Sequence, residues 1–135
     1  MVEKICVYTC VMGDYESLNE WPKEVPCTAP HICFTDNPEL TSDTWEIRHV
    51  TPIFPMDTVR SQRHIKILAH EYLPEFTASV YIDNTVRLRL SAENIVAQTL
   101  QDSNLAVFEH SFRGTVYDEF FCRGTTWLRR SGTDF

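Results

Sequence analysis

Several signatures are missing from this 135-residue chain, and each absence removes a class of function. No apolar run approaches the length of a membrane span. No GxxxxGK[ST] loop and no GxGxxG turn occurs, so neither a P-loop nucleotidase nor a dinucleotide fold is supported. The five cysteines, Cys6, Cys10, Cys27, Cys33 and Cys122, are odd in number and show no CxxC pair and no Cys/His zinc spacing. They read as reduced, structural thiols; Cys6, Cys33 and Cys122 sit among apolar neighbours, where free cysteine packs as a small hydrophobe. Cations are outnumbered, and the formal charge is −7. Such a surface repels a phosphate backbone, which argues against general nucleic-acid binding but leaves room for a local basic cluster on a small phosphorylated ligand. There are no internal repeats, no low-complexity tract and no linker. Met1-Val-Glu-Lys-Ile-Cys6 lacks the charged start and long apolar core of a signal peptide, so a cytoplasmic protein is the expectation.

What is present suits one soluble α/β domain spanning residues 1–135. Glu3–Thr9 reads as a first strand running into a turn at Gly13. His31–Asp36 reads as a second, broken by Asn37-Pro38, and Trp45–Val50 alternates as a half-buried third. Asp57 is placed to cap a helix from Thr58 to Leu73, with Ile65, Leu68, Ala69 and Tyr72 as its core stripe. Arg63, Lys66 and His70 lie on roughly the opposite side, with Arg60 at its margin. Pro74 ends it. A strand through Val80-Tyr-Ile82 follows and stops abruptly at Asp83. Ser91 caps a second helix to about Gln101, Leu105–His110 reads as another strand, and Thr115–Asp118 resembles a capping box for a short helix to Cys122. Strands alternating with helices imply a mostly parallel sheet flanked by helices, joined by right-handed crossovers.

Parallel strands collect their carboxyl ends on one edge, where open α/β sheets bind ligands. Thr9, Asp36, Asp83 and His110 would meet there. Asp83 and Thr85 can present hard oxygens to Mg²⁺ or Mn²⁺, which favour carboxylates together with substrate phosphates. Arg60, Arg63 and Lys66 would neutralise a diphosphate. Tyr8 and Thr9 would meet a base or ribose, and Asp36 would accept a hydrogen bond from either. Plainer structural readings stand beside these: an Asx turn at Asp83 and Asn84, a turn former at Asp36, a solvated basic helix face, a core Tyr8 and a surface Glu119. A metal-dependent phosphoesterase using Asp83, Asp36 and His110 is a weaker reading, since the acids are scattered.

Five segments, in order, carry a resemblance. They are Val7-Tyr-Thr-Cys-Val-Met-Gly-Asp-Tyr15, Cys33-Phe-Thr-Asp36, and Arg60-Ser-Gln-Arg-His-Ile-Lys66 with His70–Pro74. Tyr81-Ile-Asp-Asn-Thr85 follows, then His110-Ser-Phe-Arg113 with Val116-Tyr-Asp-Glu119. They resemble the motifs of a bacterial and plant glycosyltransferase-like domain family, long described only as a domain of unknown function. The resemblance implies a Rossmann-like GT-A half that binds a nucleotide-diphosphate sugar through Mn²⁺ or Mg²⁺ and transfers the sugar to an acceptor the sequence does not identify. It implies Asp83 as principal metal ligand with Thr85 second, and donor contacts from Tyr8, Thr9, Asp36, Arg60, Arg63, Lys66 and Asn84. His110, Arg113 and Glu119 are further candidates, and no nucleophile or catalytic base is identifiable. Two departures qualify it. Thr85 stands where an acid, Asn or Ser is usual, and the family continues beyond the length of this chain for roughly another hundred residues, by comparison with ordinary domain sizes. The expectation is therefore a donor-binding part lacking the acceptor half. The alternative is a non-catalytic nucleotide-binding or protein-interaction module, able to form a homo-oligomer through exposed sheet edges.

Overall fold

The computed structural model describes residues 3–14, 16–21 and 27–108, together with Thr115. It divides into two units, one ending at Ser103 and the other beginning at Asn104. In chain order the elements are β1 (Ile5–Val11), β2 (His31–Thr35), β3 (Glu46–His49), α1 (Thr58–Ile67), α2 (Ala69–Tyr72), β4 (Ala78–Tyr81) and α3 (Ala92–Thr99), all in the first unit. The strands form one sheet in the order β3-β2-β1-β4, and every pairing is parallel. The expectation of an α/β fold with a parallel sheet holds.

The sheet is buried on both faces, and the two-residue period of the strands decides which side chain goes where. From β1, Cys6, Tyr8 and Cys10, with Met12 just beyond, join Ile32 and Phe34 of β2 beneath Ile65 of α1 and Leu73. On the other face Val7 and Val11 meet Cys33, Ile82 and Ala92 of α3. Trp21, Ala29 and Trp45, from the connections between β1, β2 and β3, cover this second face. The chain thus steps from β1 to β2 to β3 across one face, then returns through α1 and α2 across the opposite face to β4, beside β1. Reversing both direction and face keeps the same hand for every crossover. The strand order reverses between β1 and β4, and a crevice outside the carboxyl ends of strands at such a reversal is where open α/β sheets place ligands.

The boundaries differ from expectation in several places. The first strand runs Ile5–Val11, two residues later than read, which puts Thr9 inside it. The helix from residue 58 does not run unbroken to Leu73: it stops at Ile67, Leu68 takes φ −104° and ψ 36°, and α2 adds one turn. The Leu68 amide still bonds the His64 carbonyl, so the break is a local loosening. The cap at Asp57 is as read, its carboxylate accepting from the Arg60 amide at 2.9 Å. The helix capped by Ser91 ends at Thr99. Residues 105–108, read as a strand, carry no regular structure: Leu105, Val107 and Phe108 are exposed. Among the described residues no sheet partner supplies their hydrogen bonds, and β-forming side chains alone do not make a strand. The helix read over 115–122 falls outside the described residues apart from Thr115.

Candidate functional site at the carboxyl ends of β1 and β4

Parallel pairing of Tyr8 with Tyr81 sets the geometry of this end of the sheet. β4 ends at Tyr81, Ile82 turns into the core, and Asp83 emerges exposed two residues later. The Asp83 carbonyl accepts from the Val86 amide at 2.8 Å and closes a turn, with Thr85 exposed within it. The Asp83 carboxylate and the Thr85 hydroxyl are therefore both open to solvent, as a cation carried by phosphates requires.

Lys66, at the end of α1, reaches toward this turn. Its ammonium lies 4.3 Å from the centre of the Tyr81 ring, a cation–π contact. Burial pushes the Tyr81 hydroxyl well above its ordinary range, and the charge of Asp83 and a hydrogen bond to its carboxylate push it further. Tyr81 thus stays protonated and donates toward the acid. The Tyr8 ring meets Tyr81 edge-on at 5.2 Å, and the Tyr8 hydroxyl donates to the Lys66 carbonyl at 3.0 Å. Lys66, Tyr81, Asp83 and Tyr8 form one connected group in which an ammonium and a carboxylate both meet a half-buried phenol.

The remaining candidates are placed differently. Tyr8 is buried and its hydroxyl is committed to the backbone of α1, so it holds Lys66 in place from beneath. Thr9 is wholly buried within β1, short of the strand end, so its side chain does not line an open surface. Asn84 is buried, and its amide is fully engaged. Nδ2 donates to Glu16 Oε1 at 2.9 Å and to the Ser17 carbonyl at 2.7 Å, while Oδ1 accepts from the Asn19 amide at 2.7 Å. It is a latch between the β4 turn and the connection leaving β1, with both amide hydrogens already given to that connection. Asp36 Oδ1 accepts from the Gly13 amide at 3.0 Å, tying the end of β2 to the turn after β1. Gly13 has φ 73°, a left-handed value that favours glycine.

Arg60 lies over the Phe54 ring at 5.3 Å and reaches Asp57 at 4.0 Å. Arg63 is exposed. Among the described residues, no hydrogen bond or ion pair links either arginine to the Lys66–Asp83 group. His110, Arg113 and Glu119 lie outside the described residues. Among the described residues, no group of three His, Cys, Asp or Glu side chains is gathered as a metal cage, and no helix is long and apolar enough to cross a membrane.

The sequence reading passed over two contributors. Tyr81 was taken as strand core, although a residue two before Asp83 falls on the same strand face. Glu16 had no motif to mark it and matters only through Asn84, 68 residues away. The chain matches no protein-family model, no curated protein and no solved structure.

Proposed function

We propose that this chain is the Rossmann-like, donor-binding part of a GT-A type glycosyltransferase, which holds a nucleotide-diphosphate sugar at the β1/β4 switch point through Mn²⁺ or Mg²⁺. The observation that carries this reading is the position of Asp83, exposed at the carboxyl end of β4 where the strand order reverses. Lys66, whose ammonium lies over the Tyr81 ring, would supply a positive charge for the phosphates, and the protonated Tyr81 would orient the Asp83 carboxylate.

The side chains fit a divalent ion that arrives with its diphosphate. One open carboxylate and one neutral hydroxyl make a poor cage but suit Mg²⁺ or Mn²⁺, which keeps waters and phosphate oxygens in its shell. When bound, the ion would stabilise negative charge on the departing nucleotide. Asp83 and Thr85 would hold it, Lys66 would orient the phosphates, and Asn84 and Tyr8 would fix the positions of the turn and of Lys66. Arg60 and Arg63 would serve the outer phosphate. The acceptor is unassigned.

Calorimetric titration of UDP and GDP, with and without Mn²⁺, tests this. Binding should require the metal, and Asp83→Ala should weaken it at least about 100-fold, equivalent to ~2.7 kcal/mol. Because Asp83 is exposed, the variant should keep its fold. Metal-dependent binding that survives in Asp83→Ala would remove Asp83 from the site.

The neutral Thr85 favours a second reading, a non-catalytic module on a degenerate glycosyltransferase scaffold. Absence of nucleotide affinity together with a tight dimer in sedimentation would select it. The edge strands β3 and β4 each pair on one side only among the described elements and would provide the contact.

A further inference from the structure

A second feature of the carboxyl edge is unrelated to Asp83. The segment between β3 and α1, residues 50–57, carries Ile53 and Phe54 between Pro52 and Pro55, and Met56 just after Pro55, at 52, 38 and 99 % exposure. Exposed apolar residues occurring singly need no explanation, but a run of them does. The run continues onto α1. At 100° per residue, Val59, Arg60, Arg63, Lys66 and Ile67 fall within an arc of about 120°, and Val59 and Ile67 are 47 and 74 % exposed. The Arg60 guanidinium lies over the Phe54 ring, so an aromatic body and a cationic cap form one unit. Arg63 stands on the same arc with no ion pair among the described residues. Asp57, on the ridge, is occupied in capping α1 and lies near Arg60, and Glu71 is exposed on α2.

We propose that this ridge docks the protein on an anionic lipid bilayer. Ile53, Phe54 and Met56 enter the headgroup–acyl boundary while Arg60 and Arg63 meet lipid phosphates. Charge complementarity identifies the partner: in a chain of net charge −7, this face is basic and apolar, so it seeks an anionic surface with an apolar layer beneath. Shape separates a bilayer from a protein or peptide. The apolar side chains project from a proline-bounded loop, with Met56 almost wholly in solvent, and a soft interface accepts such a projection without a matching pocket. The groove lined by Lys4, Thr28, Phe76 and Glu93 includes none of these residues and lies at the amino ends of the strands. The inference is independent of the donor site, although Arg60 and Arg63 belong to both.

The test therefore leaves the arginines intact. The full chain is sedimented with vesicles of phosphatidylcholine alone, or mixed with phosphatidylserine, at low and physiological salt. Binding should appear only with the anionic vesicles and weaken with salt. Met56→Asp and Ile53→Asp should each weaken it about tenfold or more, whereas Met56→Leu should retain it. Circular dichroism and the nucleotide titration should be unchanged in all three variants. Equal binding to neutral vesicles, no binding to anionic vesicles, or full binding by Met56→Asp would overturn the proposal. Capture by an acidic polypeptide such as polyglutamate, without vesicle binding, would do so as well.

Discussion

Asn84 and Thr85 are neighbours with opposite surroundings, and substitution should separate them. Asn84 is buried, and its side chain makes three hydrogen bonds to the 16–19 segment. Its carbonyl also accepts from Asn19 Nδ2 at 3.1 Å and from Arg87 Nη1 at 3.0 Å. Asn84→Ala would leave the Asn19 amide and the Ser17 carbonyl without their partner, so a loss of about 2–3 kcal/mol in urea unfolding is expected. Thr85→Ala at an exposed position should change stability by no more than about 0.5 kcal/mol. Equal effects from the two would mean that the latch contributes nothing. The sequence pointed to Asp83 through an apolar strand that stops at an acid, and an exposed carboxylate stands there. It gave no means of separating the roles of Asn84 and Thr85, because polarity alone does not say whether an amide faces water or a loop 65 positions back in the chain.

At the scale of elements, strands and helix starts were legible and helix ends and edges were not. β1 and β2 are rich in β-forming residues, and Asp57 and Ser91 are caps with a local mechanism. The stop at Ile67 has no proline or glycine behind it, since Pro74 comes six residues later than Leu68. Residues 105–108 show the converse, a β-prone run that needs a neighbour to pair with. The connections over the second face meet in one aromatic cluster. His31 in β2 meets a tilted Trp21, ring centres 4.2 Å apart, and an edge-on Trp45, at 5.4 Å. Its Nε2 is buried without a hydrogen-bond partner among the described residues. Burial pushes the imidazole below its ordinary value near 6.5, against smaller upward pulls from Ala29 and Glu93. The unfolded chain therefore binds the His31 proton more readily than the folded one. This contribution to stability is complete above pH 6.5 and falls as pH drops below it. Glu93 and Glu20 are also held below their ordinary value of 4.5, chiefly by hydroxyl hydrogen bonds from Thr28 and Thr44, so their losses begin at lower pH. Urea midpoints measured between pH 7 and pH 5 should decline in the native sequence and decline less in His31→Phe. An identical slope in both would exclude His31 as its source.

Among the described residues of the whole molecule, three of four thiols are kept out of reach. Cys6, Cys10 and Cys33 are buried about the central strand pair, and burial pushes each up to about 12. At pH 8 only about one in 10⁴ would be thiolate even with free access. Cys27 is half-buried at the edge, with Ala29 and Glu93 as its sulfur contacts. Alkylation followed by peptide mass spectrometry should modify Cys27 in the native protein and reach Cys6, Cys10 and Cys33 only at the rate of global opening. Modification of Cys6, Cys10 and Cys33 as fast as Cys27 would contradict the packing described. The sheet order also has a kinetic meaning. β1 leaves the ribosome before the other three strands of the sheet, yet Ile5 waits for Ala78. Until then the chain can pair β1 only with β2, and one edge of this central strand stays open. Closing so long a loop adds little to the thermodynamic cost but slows the search, as parallel pairings do. Synthesis therefore passes through a stage with the three-strand sheet β3-β2-β1 complete and the Tyr8 face uncovered. That stage is when a chaperone, or a second nascent copy, would find the chain most receptive.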